Sequence, residues 1–124
     1  MVRRRGVRPG DRGRKGVWRN SLGKSFEYDS LWERNRMVTL DLHGYRFTRE
    51  GVRIPYQFEG KQHTYYPDFV VYDRFGKLLR IEEVKPSMRN DDPRNVAKWA
   101  AAREWCKSHN CVFLVVNERD ISRP

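Results

Sequence analysis

The chain has 124 residues, 38% of them hydrophobic and 13% aromatic, and a formal net charge of +10. That length fits one hydrophobic core and excludes two, and the apolar content excludes a wholly disordered chain. No run approaches the roughly 18 apolar residues of a membrane span, and the Arg-rich start has no apolar segment of the secretory kind.

The charge is unevenly placed. Residues 1–24 carry nine bases (Arg3, Arg4, Arg5, Arg8, Arg12, Arg14, Lys15, Arg19 and Lys24) against the single acid Asp11, a net +8. Residues 25–124 carry seventeen bases and fifteen acids, a net +2. The first segment also holds five glycines and Pro9 with few apolar residues, so it cannot bury enough surface to offset ordering. It predicts a flexible basic arm over 1–24 that tracks nucleic-acid phosphates, ahead of one folded domain over 25–124. Trp18 in this arm is a candidate for base stacking.

Ser25 to Leu42 predicts a helix, with Leu31, Met37, Val38 and Leu42 giving a partial apolar stripe. Ser30 and Glu33 have capping-box spacing, Ser25 and Asp29 are alternative helix starts, and Gly44 supplies the stop. Residues 52–59 alternate Val52, Ile54, Tyr56 and Phe58 with polar partners, the pattern of a half-buried strand. Gly60-Lys61 is the expected turn. Residues 63–72 predict a second strand and 77–85 a third, with Asp73 to Gly76 turning between them. A polar loop covers 86–93, and a helix runs from Pro93 to His109. The apolar run Cys111 to Val116 predicts a fully buried strand, and the preceding helix implies a crossover into a parallel pair. The order is αβββαβ, an α/β fold.

Three acids and a lysine stand out in this frame. Glu83 and Lys85 are two apart in a strand, so both project from one face. Asp68 lies on the neighbouring strand, where a short turn brings it alongside Glu83. Glu82 shares the face of Val84 and ranks below Glu83, although the doubled acid leaves the assignment open by one residue. Glu33 comes from the first helix, with Glu27 as a nearby alternative. Converging carboxylates repel one another, and a divalent cation resolves the conflict. Hard oxygen donors select Mg²⁺, with Mn²⁺ able to substitute. Such an ion acidifies water, and Lys85 can stabilise charge on a phosphoryl transition state. This chemistry suits phosphodiester hydrolysis, with Glu33, Asp68, Glu83 and Lys85 as catalytic residues and the three acids as metal ligands.

The run Tyr66-Pro67-Asp68 followed by Glu83-Val84-Lys85 resembles the PD-(D/E)xK nuclease motif, and Ser30 to Arg34 (SLWER) resembles the acid-donating helix of that superfamily. The stretch HTYYPDF at 63–69 is similar both to TnsA-like transposon-end endonucleases and to phage endonuclease I, a junction-resolving enzyme. The likeness spans roughly residues 25–117. It implies a restriction-endonuclease-like fold with a mixed central sheet and a Mg²⁺-dependent DNA endonuclease. By that likeness the substrate is branched DNA, cut by a homodimer of the Holliday-junction-resolving kind in a bacterial or phage-infected cell. A TnsA-like enzyme working with a partner transposase is the alternative, and a non-catalytic DNA-binding module on the same fold is the third reading.

The remaining features are weaker. Arg94 and Lys98 fit a phosphate-facing surface and an ordinary wet helical face equally well. Trp32, Trp99 and Trp105 fall at helix positions and suit the core. His43, His63 and His109 lack zinc-ligand spacing. Cys106 and Cys111 cannot form a disulfide framework, which fits packing roles in a reducing, cytoplasmic compartment.

Overall fold

The computed structural model of the protein describes residues 14–85 and 91–117. In chain order the elements are β1 (Gly16–Arg19), β2 (Ser25–Tyr28), α1 (Leu31–Leu42), β3 (Arg46–Thr48), β4 (Ile54–Phe58), β5 (Lys61–Tyr65), β6 (Phe69–Tyr72), β7 (Leu78–Val84), α2 (Pro93–Ser108) and β8 (Val112–Val116). The central sheet has the order β3-β6-β7-β8. Its first three strands are antiparallel, and β8 lies parallel to β7 through the α2 crossover. The αβββαβ core of a restriction-endonuclease-like fold is therefore present as α1-β3-β6-β7-α2-β8.

Its strands are not all the predicted ones. The first core strand is the three-residue β3, too short to show a period-2 pattern. The predicted strand over 52–59 is instead β4, which pairs with β5 in a separate hairpin inserted between β3 and β6. Its alternation is as expected, with Ile54 and Tyr56 buried. The hairpin turns at Glu59-Gly60, one residue earlier than expected, with both φ angles positive (51° and 74°) as a two-residue type I′ turn requires.

The predicted continuous strand over 63–72 is broken. Pro67 has no N–H to give to a ladder. The chain leaves the hairpin at Tyr65 and enters the central sheet at Phe69. Asp68 therefore precedes a strand rather than sitting within one.

The first helix starts at the Ser30 cap, and the Ser25 and Asp29 starts are not used. Ser25–Tyr28 alternates exposed and buried residues and forms β2, paired with β1 across Trp18↔Phe26. The predicted arm over 1–24 thus gives way to ordered structure by Gly16, because Val17 and Trp18 supply strand-forming residues among the bases. Trp18 packs against a core cluster that includes Phe26, Met37 and Phe69, rather than standing clear for base stacking. Ser30 is the N-cap of α1, its hydroxyl accepting from Glu33 N at 3.1 Å. At the other end, Gly44 N donates to Asp41 O and Tyr45 N to Leu40 O, both at 3.0 Å. This Schellman closure needs the left-handed φ of 80° that Gly44 adopts.

Alternation along β6 fixes the layers. Phe69 and Val71 pack with Met37, Leu40 and Phe47 on the α1 side. Val70 packs with Ile81, the α2 residues Ala102 and Cys106, and the hairpin residues Ile54, Tyr56 and Tyr65 on the other side. Burying each such large apolar side chain stabilises the fold by about 1.5–3 kcal/mol. Trp32 and Trp99 are buried as expected, while Trp105 is half-buried and stacks on His109 at 3.7 Å. Cys106 is buried and Cys111 half-buried, both as free thiols. Burial and the neighbouring Cys111 push the Cys106 thiol up to about 12.

β8 departs from expectation. It is an edge strand with Val112 and Leu114 exposed and only Val116 fully buried. None of the described helices is long and apolar enough to cross a membrane.

Candidate active site

Asp68 and Glu83 meet where β6 begins and β7 ends. Phe69 pairs with Glu82 in the antiparallel register, so one step back Asp68 stands across from Glu83. Asp68 Oδ2 accepts from Val84 N at 2.7 Å, which ties the segment before β6 to the end of β7. Lys85 follows on the same side, with Nζ 3.6 Å from Glu83 Oε2. Its own backbone N–H donates to Val116 O at 2.9 Å, so β8 anchors it.

These three residues line an open cleft of about 330 Å³ together with Tyr56, Thr64, Tyr65, Tyr66, Arg94 and Lys98. Tyr65 donates its hydroxyl to Glu83 Oε1 at 2.8 Å. Burial and the Glu83 charge hold that hydroxyl protonated well above the usual tyrosine range, so it stays a donor. Burial and then the Glu83 charge push the Asp68 carboxyl well above the usual carboxylate range, against the lowering effect of the Val84 N–H. The carboxyl is thus costly to ionise beside Glu83 unless another positive charge arrives.

The two adjacent glutamates have opposite fates. Glu82 is fully buried on the α1 face. It accepts from Arg36 Nε and Nη2 at 2.7 and 2.8 Å and from Arg80 Nε at 2.6 Å. These charge-assisted bonds satisfy it internally, whereas Glu83 points into the cleft.

Glu33 is not brought into that cleft. Its Oε1 accepts from Asp29 N at 2.7 Å and its Oε2 pairs with Arg49 Nη2 at 3.1 Å. It serves as a helix-start cap and a counter-ion, close enough that its charge still raises Asp68. Glu27 is exposed, and its contribution here is its main-chain oxygen, which accepts from Arg49 Nη1 at 2.9 Å.

Arg49 escaped the sequence reading. Its Nε donates to Asp68 O at 2.8 Å and its guanidinium lies 4.8 Å from the Phe69 ring centroid. Two of its partners are carbonyl oxygens, which carry no sequence signature. Tyr65 was also missed, although the aromatic run before Pro67 was the available signal. Arg94 and Lys98, undecided from sequence, both face the cleft.

Of the nine predicted DNA-contacting bases, Arg3, Arg4, Arg5, Arg8 and Arg12 lie outside the described residues. Arg14 and Lys15 are exposed just before β1. Arg19 donates to Gly23 O at 3.0 Å within the β1–β2 turn, and Lys24 Nζ sits 5.3 Å from the Phe26 ring centroid.

Among the described residues, no three His, Cys, Asp or Glu side chains converge as a metal cage. The available donors are the two carboxylates of Asp68 and Glu83. Such a sparse oxygen set suits a cation that keeps several waters, as Mg²⁺ does. The mutual repulsion of the pair is the kind a divalent ion relieves.

Comparison with known proteins gives one family. Residues 45–118 match the model of the TnsA-like endonuclease N-terminal domain. None of the curated proteins matches the chain. The matched span contains Arg49, Tyr65, Asp68, Glu83, Lys85, Arg94 and Lys98, and begins after α1 and Glu33.

Proposed function

The chain belongs to the TnsA-like endonuclease N-terminal family, and we propose that it is a metal-dependent DNA endonuclease working through Asp68, Glu83 and Lys85. The observation that carries this reading is the pair Asp68 and Glu83, set against each other in an open cleft with Lys85 Nζ 3.6 Å from Glu83. Burial and the Glu83 charge raise the Asp68 carboxyl, the kind of perturbation that gathers at functional sites.

Asp68 and Glu83 would hold a Mg²⁺ ion, which when bound supplies an acidified water and neutralises charge on the phosphoryl group. The chain's own residues do the rest. Val84 N–H orients Asp68. Tyr65 fixes the Glu83 carboxylate. Lys85 places a compact positive charge at the edge of the pair, where negative charge builds on the scissile phosphate's oxygens. Arg49 holds the Asp68 backbone and, through Glu33, ties it to the start of α1.

On the DNA form, family membership favours the transposon-end reading, in which the enzyme works with a partner transposase. The rival reading is a homodimer cutting branched DNA. Labelled linear duplex, four-way junction and single strand, each incubated with the protein in Mg²⁺ and in EDTA, test both levels. Mg²⁺-dependent cutting of any of the three is expected. The absence of Mg²⁺-dependent cutting of all three overturns the proposal. Junction and linear duplex cut equally well removes the branched-DNA reading.

A further inference from the structure

The cleft has a cationic wall that the hydrolytic chemistry does not use. Arg94 and Lys98 are four residues apart on α2, so their side chains stack on one helix face. Like charges at that spacing repel each other. Among the described residues neither pairs with a carboxylate, unlike Arg36, Arg49 and Arg80. Both are presented by the β4–β5 hairpin instead. Arg94 Nη2 lies 3.2 Å from His63 Nδ1, and its guanidinium carbon is 5.5 Å from the Phe58 ring centroid. Lys98 Nζ lies 5.9 Å from the centroid of Tyr65, whose hydroxyl holds Glu83. One hairpin therefore fixes both cations relative to the acidic pair.

We propose that Arg94 and Lys98 form a phosphate clamp, holding backbone phosphates of the DNA strand next to the bond that lies over Asp68 and Glu83. Two carboxylates on the cleft floor repel a polyanion, so a strand needs positive charge alongside to enter. Arg94 offers a planar fork matched to phosphate oxygens, and Lys98 a point charge one turn deeper along the helix. The β4–β5 hairpin, an addition to the αβββαβ core, then works as the clamp's backing plate.

This inference rests on the nuclease reading, and a binding measurement separates the two. All variants are made in an Asp68→Asn background, so that the DNA stays uncut. Anisotropy of a fluorescein-labelled duplex gives Kd for the full chain at several salt concentrations. Arg94→Gln and Lys98→Gln should each reduce the log–log salt slope by about 0.9, and the double variant by about 1.8. Lys98→Arg keeps the charge and should keep the slope. Lys107→Ala, on the outer part of α2 where Lys107 pairs with Glu104 at 3.1 Å, should leave the slope unchanged. A double variant with the parent's slope overturns the clamp while leaving the nuclease reading standing. A parent with no salt-dependent DNA binding also overturns the clamp, and the nuclease reading is then decided separately by the Mg²⁺-dependent cutting assay.

Discussion

Arg49 donates from Nε to the main-chain oxygen of Asp68 at 2.8 Å, so a loop residue from outside the central sheet fixes one half of the acidic pair. The same guanidinium pairs with Glu33 on α1 at 3.1 Å. The site is thus braced from behind by a residue that lines none of the cleft.

Removing that brace should loosen the site and the fold together. Arg49→Ala leaves the Glu33 carboxylate and the Asp68 carbonyl short of a donor, at about 1–3 kcal/mol. We expect a lower Tm and weaker Mg²⁺ binding, seen by melting the variant over a Mg²⁺ titration. Arg49→Lys should recover part of the stability, because an ammonium can reach Glu33 but cannot reproduce the three-way fork. Unchanged melting and unchanged Mg²⁺ dependence in Arg49→Ala would remove the brace from the account.

The raised Asp68 carboxyl gives a pH dependence of defined sign. A carboxyl with a folded pKa above its unfolded value opposes folding once it ionises. Its contribution is present at low pH and is lost as the pH rises through the folded pKa. Metal-free protein should therefore lose stability as pH climbs away from the acidic range. Mg²⁺ should restore more of it at high pH than at low pH, because binding needs the ionised form. Asp68→Asn keeps an acceptor for Val84 N–H and removes the repulsion, so its metal-free Tm should rise by a few degrees. A fall in the metal-free Tm would contradict this.

The two glutamates should separate cleanly. Arg36→Met strands Glu82 beside Arg80 alone, and breaking a buried pair costs about 3–5 kcal/mol. Glu83→Gln should leave urea unfolding close to wild type and abolish Mg²⁺-dependent cutting. If Glu83→Gln cuts normally, the metal-facing acid has been misassigned.

Tyr65→Phe removes one bond to the Glu83 carboxylate and little packing. A hydrogen bond to a charged group is worth about 1.5–3 kcal/mol, so single-turnover cutting should slow by roughly tenfold to a hundredfold. A wild-type rate would make the tyrosine hydroxyl a spectator.

Much of this was legible because it depends on local pattern. The α1 stop at Gly44, the alternation of Ile54 and Tyr56, and the shared face of Glu83 and Lys85 all follow from periods of one chain segment. What was not legible depends on chain segments far apart. Nothing near Pro67 says that the strand after it joins a different sheet. Ser25–Tyr28 reads as helix until Trp18 is known to lie across from Phe26. The apolar run of β8 reads as buried until its place at the sheet edge is known. Glu33 has the residue type and the helix start expected of a ligand, but Arg49, sixteen positions later, takes its carboxylate.

The proposed roles of Asp68, Glu83 and Lys85 in metal-dependent phosphodiester cleavage stand or fall on single-turnover cutting of an end-labelled duplex in Mg²⁺, with wild type beside Asp68→Asn. Wild type should cut in Mg²⁺ and not in EDTA, and Asp68→Asn should cut about a thousandfold or more slowly, the scale of a lost several-kcal/mol metal contribution. Asp68→Asn cutting at the wild-type rate, or wild-type cutting undiminished in EDTA, would contradict those roles.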